Sequence, residues 1–446
     1  MRKLIFLLAF MANSALGAQG QNEILDRADR RIHKYRTGQV VIQLLDPSGK
    51  PVAAGRQIKI EQTRHAFLFG CNIFLFGKIK KPADSAAYQQ RFAELFNFAT
   101  LPFYWWYYEP RQGQHMDART EAILEWCRRH NITAKGHPLA WNYSDPKWIS
   151  DHPDRAMQLQ FARIGRCVGK FKGQLDLWDV VNEATHWDRE TCWKQSPILT
   201  QGIARVGVGT YIRSAFQAAR KANPGATLII NDYRTDPEYQ ETVLKELVDR
   251  TGRPLYDVIG IQSHQHGAPW PVEKIWEVCE RFSSYGRPLH FTETTFLSGK
   301  PGWELKKKDP DFDWVSTPDG ELRQAEQVER FYTVLFSHPA VEAITWWDFS
   351  DYSAWQRAPA GFLRRDMSPK PSYLILKALI KGKWWTRVQT TITDQGNAHF
   401  RGFYGDYKVT VGTGDMQMVG LFSFNKNTPA PIMVRMDHLQ SSPTSP

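Results

Sequence analysis

Residues 175–232 carry the clearest fold signal in the chain. They hold the short apolar run LDLWDVVN at 175–182, an amphipathic segment, VGTYIRSAFQAARKA, at 208–222, and a second short apolar run, TLIIND, at 227–232. A short apolar run, a helical pattern and another short apolar run are typical of a strand–helix–strand unit with parallel strands.

The same alternation extends in both directions along the chain. The short apolar runs are 67–73, 96–101, 134–141, 175–182, 227–232, 258–262, 288–292 and 343–347. The helical candidates between and after them are 84–95, 117–130, 154–173, 208–222, 236–251, 271–284, 323–337 and 371–380. Eight is the number of strands that closes an α/β barrel. The sequence therefore predicts a (β/α)8 TIM barrel over residues 65–382.

The segments on either side of the barrel have a β pattern instead. Residues 40–61 contain two apolar strand-like runs around a turn, and β-like runs recur at 387–392, 398–404, 407–411, 418–424 and 431–436. We predict an N-terminal β segment over 18–64 and a C-terminal β module over 383–436, and we expect the two to pair in one small sandwich. Residues 437–446 are predicted to form a disordered tail.

Composition excludes several classes of protein. Of 446 residues, 42% are hydrophobic and 23% are charged, which excludes wholesale disorder and fibrous repeats. The net charge is +11, but Lys and Arg are spread along the chain, and we predict no nucleic-acid partner. Aromatic residues make up 13% of the chain, with 17 Trp. We interpret this excess as stacking surface, since five Trp fall at strand ends or in the following loops: Trp105, Trp106, Trp141, Trp347 and Trp355.

The first residues resemble a secretory signal. Arg2 and Lys3 precede an apolar run at 4–11 and small residues at 12–18, which predicts a signal peptide over 1–17 and a secreted or periplasmic protein. The apolar run is too short to span a bilayer, so no membrane anchor is expected. The five cysteines show no CxxC spacing, which argues against structural zinc and leaves one or two disulfides open, with no pairing indicated.

Two glutamates stand out at the predicted strand ends, where the active sites of such barrels lie. Glu183 follows the fourth apolar run and Glu293 follows the seventh, each among Trp, His and Asn residues. Two carboxyl groups about 5–5.5 Å apart suit retaining glycoside hydrolysis, in which one is protonated and the other ionised. This chemistry needs different surroundings for the two groups, because the surroundings separate their pKa values.

Five motifs around these positions resemble glycoside hydrolase family 10, the retaining endo-β-1,4-xylanases. They are WDVVNE at 178–183, TE at 292–293, GHPLAW at 136–141, NDY at 231–233 and QSH at 262–264. The resemblance covers roughly residues 65–382.

The resemblance implies a role for each matching residue. Glu183 is implied as the general acid/base and Glu293 as the nucleophile; Asn182 as the hydrogen-bond partner of the sugar 2-hydroxyl; and His264 as the residue that holds Glu293. The other residues predicted to bind substrate are His137, Trp141, Gln262, Trp347 and Trp355. No metal or cofactor is expected.

The chain also departs from the family. The second-strand loop reads LPFYWWYYEP at 101–110, where the family usually carries Glu-Asn and then Lys. Thr294-Thr295 stand where the family usually has Leu-Asp, and Asn142 where it usually has His. The predicted function is cleavage of a β-1,4-linked plant-type polysaccharide, most simply by an endo-1,4-β-xylanase. An exo-acting or other-specificity β-glycosidase, and a noncatalytic carbohydrate-binding relative, remain alternatives.

Overall fold

The computed structural model describes residues 23–149, 152–309, 311–412 and 417–438. Its strands in chain order are β1 (Thr37–Leu45), β2 (Gln57–His65), β3 (Leu68–Asn72), β4 (Phe98–Pro102), β5 (Thr133–His137), β6 (Leu177–Asn182), β7 (Thr227–Asp232), β8 (Val258–Gln265), β9 (Leu289–Phe296), β10 (Val341–Trp346), β11 (Arg387–Thr391), β12 (Asn397–Phe403), β13 (Gly405–Val411), β14 (Met418–Phe424), β15 (Ile432–Arg435) and β16 (Asp437–His438).

The α-helices in chain order are α1 (Ala28–Arg36), α2 (Pro82–Leu95), α3 (Trp105–Tyr108), α4 (Asp117–Arg129), α5 (Pro153–Lys170), α6 (Glu190–Gln195), α7 (Pro197–Val206), α8 (Val208–Ala222), α9 (Pro237–Tyr239), α10 (Val272–Ser283), α11 (Trp303–Lys308), α12 (Pro318–Ser337) and α13 (Pro371–Ala378). Short 3-10 or π turns are Ala184–His186, Gln240–Leu244, Trp355–Arg357 and Leu379–Lys383.

Strands β3 to β10 form a closed parallel barrel. Each pairs with the next along the chain, and β10 pairs with β3 to close the ring. The strands are almost wholly buried, because the barrel interior covers one face and the helices cover the other. The predicted (β/α)8 TIM barrel is confirmed.

One predicted helix, 236–251, is largely absent. The chain forms only α9 and the π turn Gln240–Leu244, and then leaves the helical path. The Asp249 carboxylate accepts hydrogen bonds from the backbone N–H groups of Thr251 (2.7 Å) and Arg253 (3.0 Å), and Gly252 has φ 81°. Such side-chain-to-backbone bonds compete with helical ones, so the turn at 249–253 ends the helix early.

The terminal β segments pair with each other, as expected from the sequence. One sheet has the order β12-β1-β15, and the other has the order β11-β2-β13-β14-β16. Their facing side chains form a separate apolar core that includes Ile42, Ile60, Val409 and Phe422. Helix α1, which the sequence pattern did not predict, precedes β1.

Polar contacts, partly or fully buried, attach helix α1 and this sandwich to the barrel. The Arg36 guanidinium donates to the carbonyl oxygens of Phe336 and Val341, each at 2.7 Å. His65 Nε2 lies 3.0 Å from the Ile380 carbonyl oxygen. Burial lowers the pKa of His65 to about 3, so this imidazole is neutral and donates to Ile380.

Several sequence predictions concern the chain ends and the cysteines. The predicted signal peptide lies outside the described residues, as does the predicted tail from 439 onward; Asp437–His438 pairs with β14. All five cysteines are buried free thiols. Within the described residues, no helix combines the length and the apolar character that crossing a membrane requires.

A buried ion pair lies inside the barrel below the carboxyl ends of the strands. Lys135 on β5 and Asp179 on β6 are both fully buried, and Lys135 Nζ lies 2.6 Å from Asp179 Oδ2. Burial by itself raises the pKa of Asp179, but Lys135 and a hydrogen bond from His137 more than offset it and lower that pKa. Removing one partner of such a pair leaves an uncompensated charge in the core.

We therefore expect Lys135→Met to lower the free energy of unfolding by about 3–5 kcal/mol, because Asp179 loses its counter-ion. Denaturant unfolding followed by circular dichroism measures this loss. The matched control is Lys245→Met, which breaks an exposed ion pair with Glu241 and should leave the unfolding midpoint unchanged. Superimposable curves for Lys135→Met and the parent chain would contradict a stabilising role for the buried pair.

Candidate active site

A cavity of about 830 Å³ opens at the carboxyl ends of the barrel strands. Its volume falls in the range of ligand-binding pockets. All nine of the site residues predicted from the sequence line it: His137, Trp141, Asn182, Glu183, Gln262, His264, Glu293, Trp347 and Trp355.

Glu183 lies directly after β6 in a left-handed backbone conformation, with φ 55° and ψ 42°. This conformation is unfavourable for a residue other than glycine and is often found at functional sites. One carboxylate oxygen, Oε1, lies 3.4 Å from Asn182 Nδ2 and 3.3 Å from Gln262 Nε2, both of which donate to it. The other oxygen, Oε2, accepts a hydrogen bond from Arg189.

Glu293 lies within β9, and its side chain is 6% exposed. Asn231 Nδ2 donates to Oε1 at 2.9 Å, and His264 Nε2 lies 3.1 Å from Oε2. His137 Nε2 approaches Oε1 at 3.8 Å. Imidazole and amide groups therefore surround this carboxylate and stabilise its ionised form.

Asn231 connects the two carboxylates. Its Nδ2 also donates to Asn182 Oδ1 at 2.7 Å, and Asn182 in turn contacts Glu183. Thr292 donates its hydroxyl to Asn231 Oδ1, which fixes the orientation of the amide. Gly260 on the next strand leaves room for this group, because a Cβ there would lie 2.7 Å from Asn231 Oδ1. Asn231 belongs to the NDY motif, but the sequence by itself indicated no role for it.

Strand register brings these side chains together. Asn182 is the direct partner of Asn231 in the β6–β7 ladder, and Gln262 is the partner of Glu293 in the β8–β9 ladder. Each ladder shifts register just before those residues, between Asp179 and Val181 and between Ile261 and Gln262. Bulges beside active sites commonly redirect side chains in this way.

His137 links the site to the buried ion pair. Its Nδ1 lies 2.7 Å from Asp179 Oδ2, and its Nε2 faces Glu293. A carboxylate behind an imidazole fixes the orientation of the ring. The barrel interior thus supports Glu293 through Lys135, Asp179 and His137 in succession.

The surroundings shift the two glutamate pKa values in opposite directions. Burial raises the pKa of Glu183; Arg189 opposes this shift, while the charges of Glu293 and Asp232 add to it, and the net result is a raised value. Burial also acts to raise the pKa of Glu293. There, the charge of His137 and the hydrogen bond and charge of His264 prevail, and the net result is a lowered value. The pair therefore has one group suited to hold a proton and one suited to lose it.

Aromatic rings form the cavity wall beside the loops after β4 and β5. Trp141 stacks on Tyr143 with centroids 4.4 Å apart, and Trp106 lies 6.0 Å from Trp141 and 5.8 Å from Tyr143. Tyr104 packs on Trp106 at 5.2 Å and edge-on to His137 at 5.5 Å. We call Tyr104, Trp106, Trp141 and Tyr143 the aromatic wall.

Two further tryptophans flank Glu293. Trp347 is 4% exposed and packs edge-on against His137 at 5.2 Å. Trp355 is 42% exposed, and its ring lies 4.8 Å from that of His264. Both tryptophans line the cavity, and their predicted role as walls against sugar faces stays a prediction.

The interpretation of the tryptophan excess as stacking surface is wrong for Trp105. That side chain is 4% exposed, donates from Nε1 to Glu109 Oε2 at 2.8 Å and packs edge-on against Trp148 in the core. Trp105 and Trp106 are neighbours on helix α3, and neighbouring helical residues point in different directions. Trp105 therefore faces the core while Trp106 faces the cavity. Much of the excess is core packing, since Trp178, Trp346 and Trp384 are fully buried.

Two charged cavity residues were not identified as functional from the sequence. Arg189 lies six residues after Glu183, beyond the strand end, and no local motif indicates its contact. Asp348 follows β10 with φ 68°, and burial raises its pKa to about 6. Its Oδ2 accepts from the Trp355 backbone N–H at 2.7 Å, so it helps to hold the Trp355 loop.

Among the described residues, no group of three or more His, Cys, Asp or Glu side chains is arranged to hold a metal ion.

The chain is similar to an anti-sigma factor and to several endo-1,4-beta-xylanases. It is 27% identical over 402 residues to the anti-sigma-I factor RsgI6 of Acetivibrio thermocellus, covering 87% of this chain and 46% of that protein. It is 26% identical over 416 residues to endo-1,4-beta-xylanase 2 of Arabidopsis thaliana, covering 87% of this chain and 34% of that protein. The chain thus spans less than half the length of either relative.

Solved structures give the same fold. Xylanase 10B from Thermotoga petrophila RKU-1, in complex with xylobiose, matches with a TM-score of 0.57 and 25% sequence identity, covering 71% of this chain and 95% of that chain. The family model for glycosyl hydrolase family 10 matches residues 72–378, from the last residue of β3 through α13. With this match over more than half of its length, the chain belongs to glycosyl hydrolase family 10.

Proposed function

We propose that the chain hydrolyses a β-1,4-linked plant-type polysaccharide with retention of anomeric configuration, most simply as an endo-1,4-β-xylanase. The observation that carries the proposal is the placement of two glutamates in one cavity, Glu293 buried and Glu183 partly buried, with surroundings that shift their pKa values apart. Family membership and the similarity to named xylanases support the substrate class.

The proposed reaction is a double displacement. In the first step the Glu293 carboxylate attacks the anomeric carbon, the glycosidic C–O bond breaks, and Glu183 gives its proton to the leaving oxygen. In the second step Glu183 takes a proton from water, the water oxygen attacks the same carbon, and the ester bond to Glu293 breaks. Both glutamates return to their starting protonation states.

The neighbouring residues have supporting roles in this proposal. Asn182, held by Asn231, hydrogen-bonds the sugar 2-hydroxyl, a contact that strengthens in the transition state. His264 and His137 keep Glu293 ionised and in place. Gln262 donates to Glu183, and Trp347 and Trp355 provide apolar surface beside Glu293.

Substitution of the two glutamates separates their roles. Glu183→Ala should lower turnover of polysaccharide by about 10²–10⁴-fold, because proton donation is lost. It should spare the first step for an aryl glycoside with a dinitrophenol leaving group, which needs no protonation. Azide should then restore turnover and give the β-glycosyl azide.

Glu293→Ala should abolish turnover of both substrates, because bond formation at the anomeric carbon is lost. Steady-state kinetics and product analysis by NMR measure these effects. Parent-level polysaccharide turnover by Glu183→Ala, or an α-configured azide product, would contradict the assignment.

The pKa shifts predict a bell-shaped dependence of kcat/KM on pH. Activity should fall at low pH as Glu293 becomes protonated, below the ordinary glutamate range because its pKa is lowered. It should fall at high pH as Glu183 loses its proton, above that range because its pKa is raised. With the dinitrophenyl substrate, whose first step needs no proton, the parent chain should lose the high-pH limb of kcat/KM. A limb that persists with this substrate would indicate Asp348, whose pKa is about 6, as the titrating group instead.

A second candidate is exo action, which the aromatic wall favours. Tyr104 and Trp106 stand in the loop where the family usually places polar residues that bind further sugars, and the four rings of the aromatic wall line that side of the cavity. Product sizing on a linear polysaccharide distinguishes the two modes. An endo enzyme gives a ladder of oligosaccharides from the earliest times, whereas an exo enzyme releases one small sugar. If the wall blocks the cleft, Trp106→Ala should shift the products toward the ladder.

We also propose that the protein is exported, on the basis of the charged, apolar and small-residue order of residues 1–18. Sequencing of the mature N-terminus after expression in a secreting host should find a start near Ala18. Retention of the initial residues in the cytoplasmic fraction would contradict this proposal.

A further inference from the structure

Arg189 is a cavity residue whose contact opposes the role proposed for its partner. It lies in the loop after β6, immediately before α6, and donates from Nη2 to Glu183 Oε2. The two side chains are 23% and 13% exposed. A guanidinium at this position favours the ionised carboxylate, whereas a general acid must carry a proton.

Both oxygens of Glu183 are already occupied by donors. Asn182 and Gln262 contact Oε1 from strands β6 and β8, and Arg189 contacts Oε2 from a loop. A carboxyl oxygen has more than one lone pair, so Glu183 can still hold a proton, but the Arg189 guanidinium favours its ionised form. Asn182 and Gln262 belong to rigid barrel strands, so the long side chain of Arg189 is the partner that can move.

The guanidinium has further capacity to bind an acceptor. Arg189 Nη1 is buried and makes no well-aligned hydrogen bond within the described part of the chain. The Tyr233 ring lies beside it, with its centroid 6.0 Å from Arg189 Cζ. Two N–H groups on one planar guanidinium match the two oxygens of a carboxylate, and such paired bonds are stronger than bonds to neutral groups.

The position of Arg189 defines which sugar it can reach. The general acid lies beside the oxygen of the departing sugar. A side chain that hydrogen-bonds the carboxylate of the general acid is therefore within reach of that sugar. Lys78 is the other Lys or Arg side chain that lines the described cavity, and it lies over the Tyr107 ring, on the loops after β3 and β4. Arg189 is therefore the lining cation adjacent to Glu183.

We infer that Arg189 determines specificity by binding a carboxylate carried by the sugar on the leaving-group side, so that the preferred substrate is a β-glycan bearing uronic acid substituents. The substrate carboxylate draws the guanidinium away from Glu183 and leaves Glu183 free to hold and donate its proton. A neutral substrate leaves the guanidinium on Glu183, where it favours the ionised form over the protonated form. The inference rests on the proposed function and names the substrate class of the same site.

The test compares two oligosaccharides with the same β-1,4 backbone. One carries glucuronic acid side groups, and in the other these carboxyl groups are chemically reduced to alcohols. For the parent chain, kcat/KM should be about 10- to 100-fold higher on the acidic substrate, the range expected for charge-assisted hydrogen bonds. In Arg189→Gln this ratio should fall close to one, because the variant has no cation to hold the carboxylate.

Two further variants serve as controls. Lys78→Gln removes the other lining cation and should keep the parent ratio, which excludes general attraction of anions into the cleft. Arg189→Lys keeps the charge but loses the planar fork, and its ratio should lie between those of the parent and Arg189→Gln. If Arg189→Gln fails to fold, the ratio of kcat/KM on the two substrates, measured for the parent chain, still tests the inference.

The outcomes separate this inference from the proposed function. Turnover of both substrates by the parent with a ratio near one overturns the inference alone, as does a parent-like ratio in Arg189→Gln. No turnover of either substrate by the parent overturns the proposed function and the inference with it.

Discussion

The side-chain amide of Asn231 is the interaction on which the candidate site depends. It donates to Asn182 on one side and to Glu293 on the other, and Thr292 holds it in the orientation that allows both bonds. Three strand ends, those of β6, β7 and β9, are thereby fixed relative to one another. Preorganised donors of this kind are what allow a site to stabilise charge without rearrangement during the reaction.

The opposite pKa shifts of the two glutamates follow from where each lies on the barrel. Glu293 is within a strand, above a chain of polar groups that runs through His137 and Asp179 to the buried Lys135. Glu183 lies one residue beyond its strand, where burial is opposed mainly by Arg189. The same fold therefore supplies the two unlike surroundings that acid–base and nucleophilic chemistry need at one pH.

The barrel could be predicted well from the sequence, because the apolar runs that indicate its strands are local patterns. Eight apolar runs have the length of buried strands, and Glu183 and Glu293 follow directly from the rule that function lies at strand ends. The errors arise where tertiary contacts decide the outcome. The turn held by Asp249 shortens a predicted helix, and the single helical turn at Trp105 directs that ring into the core while Trp106 faces the cavity. Arg189 could not be found, since its contact depends on the path of a loop.

In the proposed mechanism, Glu293 forms a covalent bond to the sugar while Glu183 donates and then accepts the proton. Intact-protein mass spectrometry after incubation with a 2-deoxy-2-fluoro xylobioside carrying a dinitrophenol leaving group tests it most directly, because such a sugar forms the glycosyl-enzyme but leaves it slowly. A mass increase of one fluorinated disaccharide unit is expected, and peptide mapping should place it on Glu293. A label on Glu183 or Asp348, or no label on a chain that hydrolyses xylan, would contradict it.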